Sequence, residues 1–231
     1  MTTYVGPFDR EPWPEKLAAH VVEPGAVPRV HGYDIASLAG GVGLADLVWL
    51  TLAGELPTAE QRAALEAATM LLAPIHIGEA ASHAALLSRL AGAPATTTIA
   101  IGAVGLGEMV RTEQEALAPW LAWLDAPDGD VPAAARDHDP CEATMRLQEW
   151  VHWRMVAWFG VGLPTTPLTR VACAYAILHR MKLRTPLVVE LLAMWARLPA
   201  IAAEAAHAGA VKLYPALLPD FQYVDERGAT P

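Results

Sequence analysis

Apolar residues recur three and four apart along most of the chain, and nowhere do they alternate over a run long enough for a sheet, so the pattern predicts helices. Leu44, Leu47, Val48, Trp49, Leu50 and Leu52 form a short helix that Gly54 closes. Thr58, with Gln61 three residues on, is a capping box for an amphipathic helix running to Leu71 or Leu72, and Pro74 ends it. Glu79 to Ala91 makes the next helix, stopped by Gly92, and Pro94 starts another. From Ala91 to Gly107 there is no charged residue, yet three threonines and several glycines make the segment too polar and too short to cross a bilayer. A helix apolar on all sides belongs in a core or a subunit interface.

Thr112 and Glu115 read as a second capping box, opening a helix to Leu124, and a loop follows through Asp125, Pro127, Gly129 and Pro132. Three later helices are each announced by a capping residue and a proline: Asp139-Pro140, Thr166-Pro167 and Thr185-Pro186. The first carries Trp150, Trp153 and Trp158 and stops near Gly160; the last runs from Leu187 to about Ala208, bent by Pro199 and closed by Gly209. Met1 to Pro28 is rich in proline and charge and reads as an irregular arm, with Trp13 as its anchor. The expected class is all-α.

Composition adds a partner question. Of 231 residues, 54% are hydrophobic and only 18% charged, which implies either apolar surface hidden between subunits or a dense alanine-rich core. The net charge of −9 offers no basic stripe, so a nucleic-acid partner is not expected. Cys141 and Cys173 lack metal-ligand spacing, and Asp9, Arg10 and Glu11 interrupt any apolar leader, so we expect a cytoplasmic protein with reduced thiols, no metal and no membrane partner.

The candidate chemistry centres on His76, alone in the Pro-interrupted link between two helices. Such a histidine is either packed and hydrogen-bonded or placed to meet a ligand. His76, Gly78 and Ser82, then Ala91-Gly92-Ala93 and Ile101-Gly102-Ala103, resemble the DHGxNAS…TGA…IGAL region of citrate synthases and the related citryl-CoA lyases. Upstream, Arg29-Val30-His31-Gly32-Tyr33-Asp34-Ile35 and the run Leu47 to Pro57 resemble the RGYDIEELA…LLLxGELPT signature of the same families. Two signatures in the right order are more specific than either alone. The last two helices are similar in spacing to the families' PNVDxxSG…ARxxGxxAH pattern, and the tail LLPDFQYV is weakly similar to their closing motif.

The resemblance implies an all-α citrate synthase-like large domain built from residues 29–110 and 160–231, with a reduced small lobe at 111–159 and an arm at 1–28. It implies a carbon–carbon bond made or broken beside a CoA thioester, with CoA as substrate rather than resident cofactor. His76 is then the group that meets the carbonyl and carboxylate of a keto acid, and Arg197 the one that grips a substrate carboxylate. The alternative for Arg197 is pairing with Glu190 or Glu204 along its own helix.

The departures are as informative. The families' second histidine has no counterpart where Gly105-Leu106-Gly107-Glu108 stands, their GxGH turn is replaced by alanines before His138, and no acid stands near Pro164 to Pro167 where PNVD places one. Glu108 becomes the candidate replacement base, and His138, within Asp137-His138-Asp139, a candidate substrate-binding residue, though Asp139 also serves as a helix cap. Two functions follow: an enzyme with a reworked site acting on a small carboxylic or keto acid, or an inactive relative serving as partner subunit or acid-binding module. The expected assembly is a homodimer, or a heterodimer with a full-length paralogue.

Overall fold

The computed structural model describes residues 18–208. Trp13, the Gly209 stop and the LLPDFQYV tail lie outside them.

Eight α-helices are present among the described residues: α1 (Ile35–Gly41), α2 (Leu44–Ala53), α3 (Ala59–Leu72), α4 (Ala80–Leu90), α5 (Ala95–Asp125), α6 (Glu142–Phe159), α7 (Arg170–Arg180) and α8 (Pro186–His207). The all-α expectation holds, with one addition. Three two-residue strands, β1 (Val22–Glu23), β2 (Arg29–Val30) and β3 (Tyr33–Asp34), pair antiparallel in that order, too short to leave a period in the sequence. Residues 22–23 thus belong to this sheet rather than to an irregular arm.

Local chemistry explains most boundaries. Asp34 accepts from the backbone N–H of Ala36 and starts α1. Thr58 and Gln61 bond reciprocally at the start of α3, and Gly54 ends α2 at φ 82°, where a side chain would be strained. Asp46 of α2 is buried, caps Gly43 and pairs with Arg62 of α3, locking the two helices together.

Three boundaries differ from expectation. There is no break at Thr112: its hydroxyl donates to the carbonyl of Glu108 inside one continuous α5, which also holds Pro119. The cap of α6 is Cys141, not Asp139, with Thr144 accepting from the Cys141 N–H. The cap of α7 is Thr169, not Thr166, because the backbone around Pro167 is already committed: Asp137 N–H donates to Pro167 O and Thr169 N–H to Ala135 O. A helix cannot start until that pairing ends.

α7 is the buried centre; every residue from Ala172 to His179 is shielded from water. α3 packs along one side of it, while α4, α5 and α8 form a tight group around the other end of the fold. Gly105 brings α5 so close to α4 that a Cβ there would lie 2.9 Å from the Cα of Ala81. The charge-free half of α5 buries Thr98, Gly102 and Leu106 and leaves Val104 72% exposed. Residues 111–159, which the resemblance sets apart as a lobe, contribute Leu117, Trp120, Leu124, Val151 and Met155 to the same core as α3 and α7. Trp120 is fully buried and donates its indole N–H to the Ala172 carbonyl at 3.1 Å.

α8 is the one described helix long and apolar enough to cross a membrane. It packs on α3, α4 and α5 and carries the ion-paired Arg197 on its buried face.

Candidate functional site

A helix leaves its last carbonyls without intrahelical partners, and here two arginines supply them. Arg170, the first residue of α7, donates to the carbonyl of Leu71 and, at 3.0 Å, to that of Pro74. Arg197 of α8 donates from Nε to the carbonyl of Leu72 at 3.1 Å. Cations at a helix C-terminus also meet the negative end of its dipole. The far end of α3 is therefore clamped by two guanidinium groups, immediately before the link that carries His76.

Arg197 is 2% exposed, and its charge is met by Glu113 of α5, with Nη2 to Oε1 at 2.9 Å. Its partner is neither Glu190 nor Glu204: those share its helix, whereas the side chain turns inward to α5. Arg197 Nη1, Glu113 Oε2 and the Tyr175 hydroxyl are buried with no hydrogen-bond partner among the described residues. Burial, then the charge of Glu113, pushes the Tyr175 phenol above its ordinary range. Burial, then the charge of Arg197, pulls Arg170 below its usual value, with Glu79 and Glu113 opposing.

His76 is exposed in the link between α3 and α4. Its Nδ1 accepts from the Gly78 N–H at 3.0 Å, and its own N–H donates to Glu79 Oε1 at 2.7 Å. The Gly78 bond engages Nδ1, and Nε2 of this exposed ring has no protein partner among the described residues.

Arg197 therefore reaches the end of the helix from which the His76 link departs. Glu108 and His138 do not join them. Glu108 is exposed on α5 and bonded to Arg111, which also holds Glu115 at 3.0 Å. Those two carboxylates raise the pKa of Arg111. Glu108 lines a shallow hollow of about 310 Å³ with Val104, Arg111, Glu190 and Met194. His138 is exposed in the segment before α6. A larger cavity, about 690 Å³, lies between α3 and α6, walled by Met70, Leu71, Leu147, Trp150 and Trp158 and edged by Arg154, Arg170 and Glu66. Among the described residues no three His, Cys, Asp or Glu side chains gather as a metal site requires.

Arg170, Glu113 and Tyr175 escaped the sequence reading. Arg170 did leave a signal, as the single Lys or Arg between Arg154 and Arg180. Glu113 sits in an ordinary polar run and left none.

No family model matches the chain, and no curated protein matches it. Solved structures do. The citryl-CoA lyase of Hydrogenobacter thermophilus aligns over 93% of this chain and 96% of its own, with a TM-score of 0.59 and 19% identity. The ATP citrate lyase of Methanothrix soehngenii, in complex with citrate and coenzyme A, aligns over 96% of this chain with a TM-score of 0.63 and 11% identity. A mutant ATP citrate lyase of Methanosaeta concilii, in complex with (3S)-citryl-CoA, aligns over 94% with a TM-score of 0.57 and 12% identity. The chain spans 44% and 43% of those two longer proteins. The fold is that of the citrate synthase and citryl-CoA lyase class. Within it the likeness extends along nearly the whole citryl-CoA lyase chain, which confirms the resemblance carried by the His76 and GELP segments at the level of fold.

Proposed function

We propose that this is a citryl-CoA lyase-like protein that no longer performs carbon–carbon bond chemistry itself and serves as the companion subunit of an active chain of the same fold. One observation carries the reading: the guanidinium of Arg197, expected to grip a substrate carboxylate, is buried against Glu113 of its own chain. A ligand carboxylate that took the Nη2 face would displace Glu113 and strand it partly buried, a cost of up to roughly 3–5 kcal/mol. The candidate base is no freer, since Glu108 is exposed and engaged by Arg111. Association is supported by the apolar surface that α5 and α8 leave open, with Val104 72%, Leu187 73% and Leu191 49% exposed.

The test is co-expression with a complete, catalytically competent homologue. A stable mixed oligomer, with thiol release from acyl-CoA substrates only in its presence, is the expected result; turnover by this chain alone would overturn it.

A second reading is favoured by the hollow between α5 and α8, which Glu108 lines from α5 and Glu190 from α8. A carboxylate lining such a hollow is the type of group that takes a proton as general base. On this reading the protein forms or cleaves a bond next to a CoA thioester held at that hollow. Thiol release from acyl-CoA and keto-acid mixtures, lost in Glu108→Gln, would establish it.

A further inference from the structure

We propose that the cavity between α3 and α6 binds a monocarboxylic acid with a sizeable apolar body, an acyl or aryl carboxylate. This site uses none of Arg197, His76 or Glu108 and stands or falls separately from the companion-subunit reading.

The shape comes first. At about 690 Å³ the cavity has the volume of a small-molecule site, and its walls are apolar: Met70 and Leu71 from α3, Leu147, Trp150 and Trp158 from α6. α6 leans mainly on α7 and touches α3 only lightly, so the gap is a consequence of how the helices diverge. Trp150 remains 43% exposed and Met70 74%, large side chains that gain by covering.

The charges select the ligand. Arg154 and Arg170 edge the cavity, and neither makes an ion pair with a carboxylate among the described residues. Glu66 is the single acid in the lining, leaving a surplus of one positive charge in a chain whose net charge is −9. A monoanion balances that surplus; a phosphate dianion would exceed it and face Glu66 as well.

Both guanidinium groups are held before any ligand arrives. Arg170 is fixed by the carbonyls of Leu71 and Pro74, which occupy two of its five N–H groups. Arg154 lies over the Trp150 ring with its central carbon 5.6 Å from the ring centroid. Fixed donors lose little freedom on binding, so the polar contact gives selectivity over a neutral molecule of the same shape.

The experiment titrates the full chain with octanoate and with 2-naphthoate, against octanol as the neutral counterpart, by calorimetry at low salt. We expect saturable one-to-one binding of at least one acid, with octanol weaker by roughly tenfold or more. Arg154→Gln, a change at an exposed side chain, should narrow the gap between acid and alcohol. Ala63→Phe, which fills the cavity, should abolish both while the melting transition stays cooperative. Absent binding, equal binding of acid and alcohol, or acid binding indifferent to Arg154→Gln overturns the proposal. So does self-association that Trp150→Ser disrupts with no acid bound, which would assign the groove to a second copy of the chain.

Discussion

Arg197 and Glu113 lie 84 positions apart in the chain and 2.9 Å apart in the fold, and they neutralise each other inside it. Removing one partner of a buried pair strands the other, so Glu113→Ala should destabilise by roughly 3–5 kcal/mol, measured by urea unfolding. It also leaves a guanidinium facing a carboxylate-sized space. Acetate should therefore raise the melting temperature of Glu113→Ala and leave the wild type unmoved. Equal stability of variant and wild type, with no selective acetate effect, would show that the pair holds nothing together.

What the sequence carried, and what it did not, follows from the range of the interactions. The Thr58 and Gln61 box and the Thr185-Pro186 start were legible because their partners lie within one turn. Pro167 misled for the opposite reason: the bond from Thr169 N–H to Ala135 O delays α7, and nothing near residue 167 records it. Thr112 satisfies the same motif as Thr58 but turns its hydroxyl back on Glu108, since the helix already runs through it. At the site, Arg197 and His76 were visible as single polar groups in apolar surroundings. Glu113 and Tyr175 acquire their role only when α5, α7 and α8 come together.

The crossing of α4 and α5 depends on a missing side chain. A Cβ at Gly105 would lie 2.9 Å from the Cα and 3.1 Å from the Cβ of Ala81, and both obstacles are main chain or rigidly attached to it. Alanine is the better helix former by about 1 kcal/mol, but overpacking of about 1–3 kcal/mol should outweigh that. Gly105→Ala is expected to lower stability, and Gly105→Val to lower it further. A stabilised Gly105→Ala would mean the helices can move apart at no cost.

Asp125 ties the end of α5 to α7, accepting from His179 Nε2 at 2.8 Å and from Arg184 at 3.2 Å. The His179 hydrogen bond first, and the neighbouring positive charges after it, hold this carboxyl below its ordinary range. A carboxyl depressed by folding contributes stability that is present above its unfolded pKa of about 4 and lost as pH falls through the lower folded value. The urea midpoint of the wild type should thus decline below about pH 4 more steeply than that of Asp125→Asn. Parallel profiles would remove Asp125 from the acid response.

The two cysteines should differ sharply in reactivity. Cys141 is exposed at the start of α6, where the Thr144 and Ala143 backbone N–H groups and the Thr144 hydroxyl favour its thiolate and lower its pKa. Cys173 is buried in α7, and burial pushes its thiol up to about 12. Because the thiolate is the nucleophile, iodoacetamide at neutral pH should modify Cys141 rapidly and reach Cys173 only on unfolding. Peptide mass spectrometry over a time course separates the two sites. Thr144→Ala removes one of the groups that favour the thiolate, so it should slow labelling of Cys141 and shift its pH profile upward, leaving Cys173 unchanged. Equal labelling of both thiols in the folded protein would contradict the buried position of α7, and an unaltered Cys141 profile in Thr144→Ala would contradict the role given to the helix start.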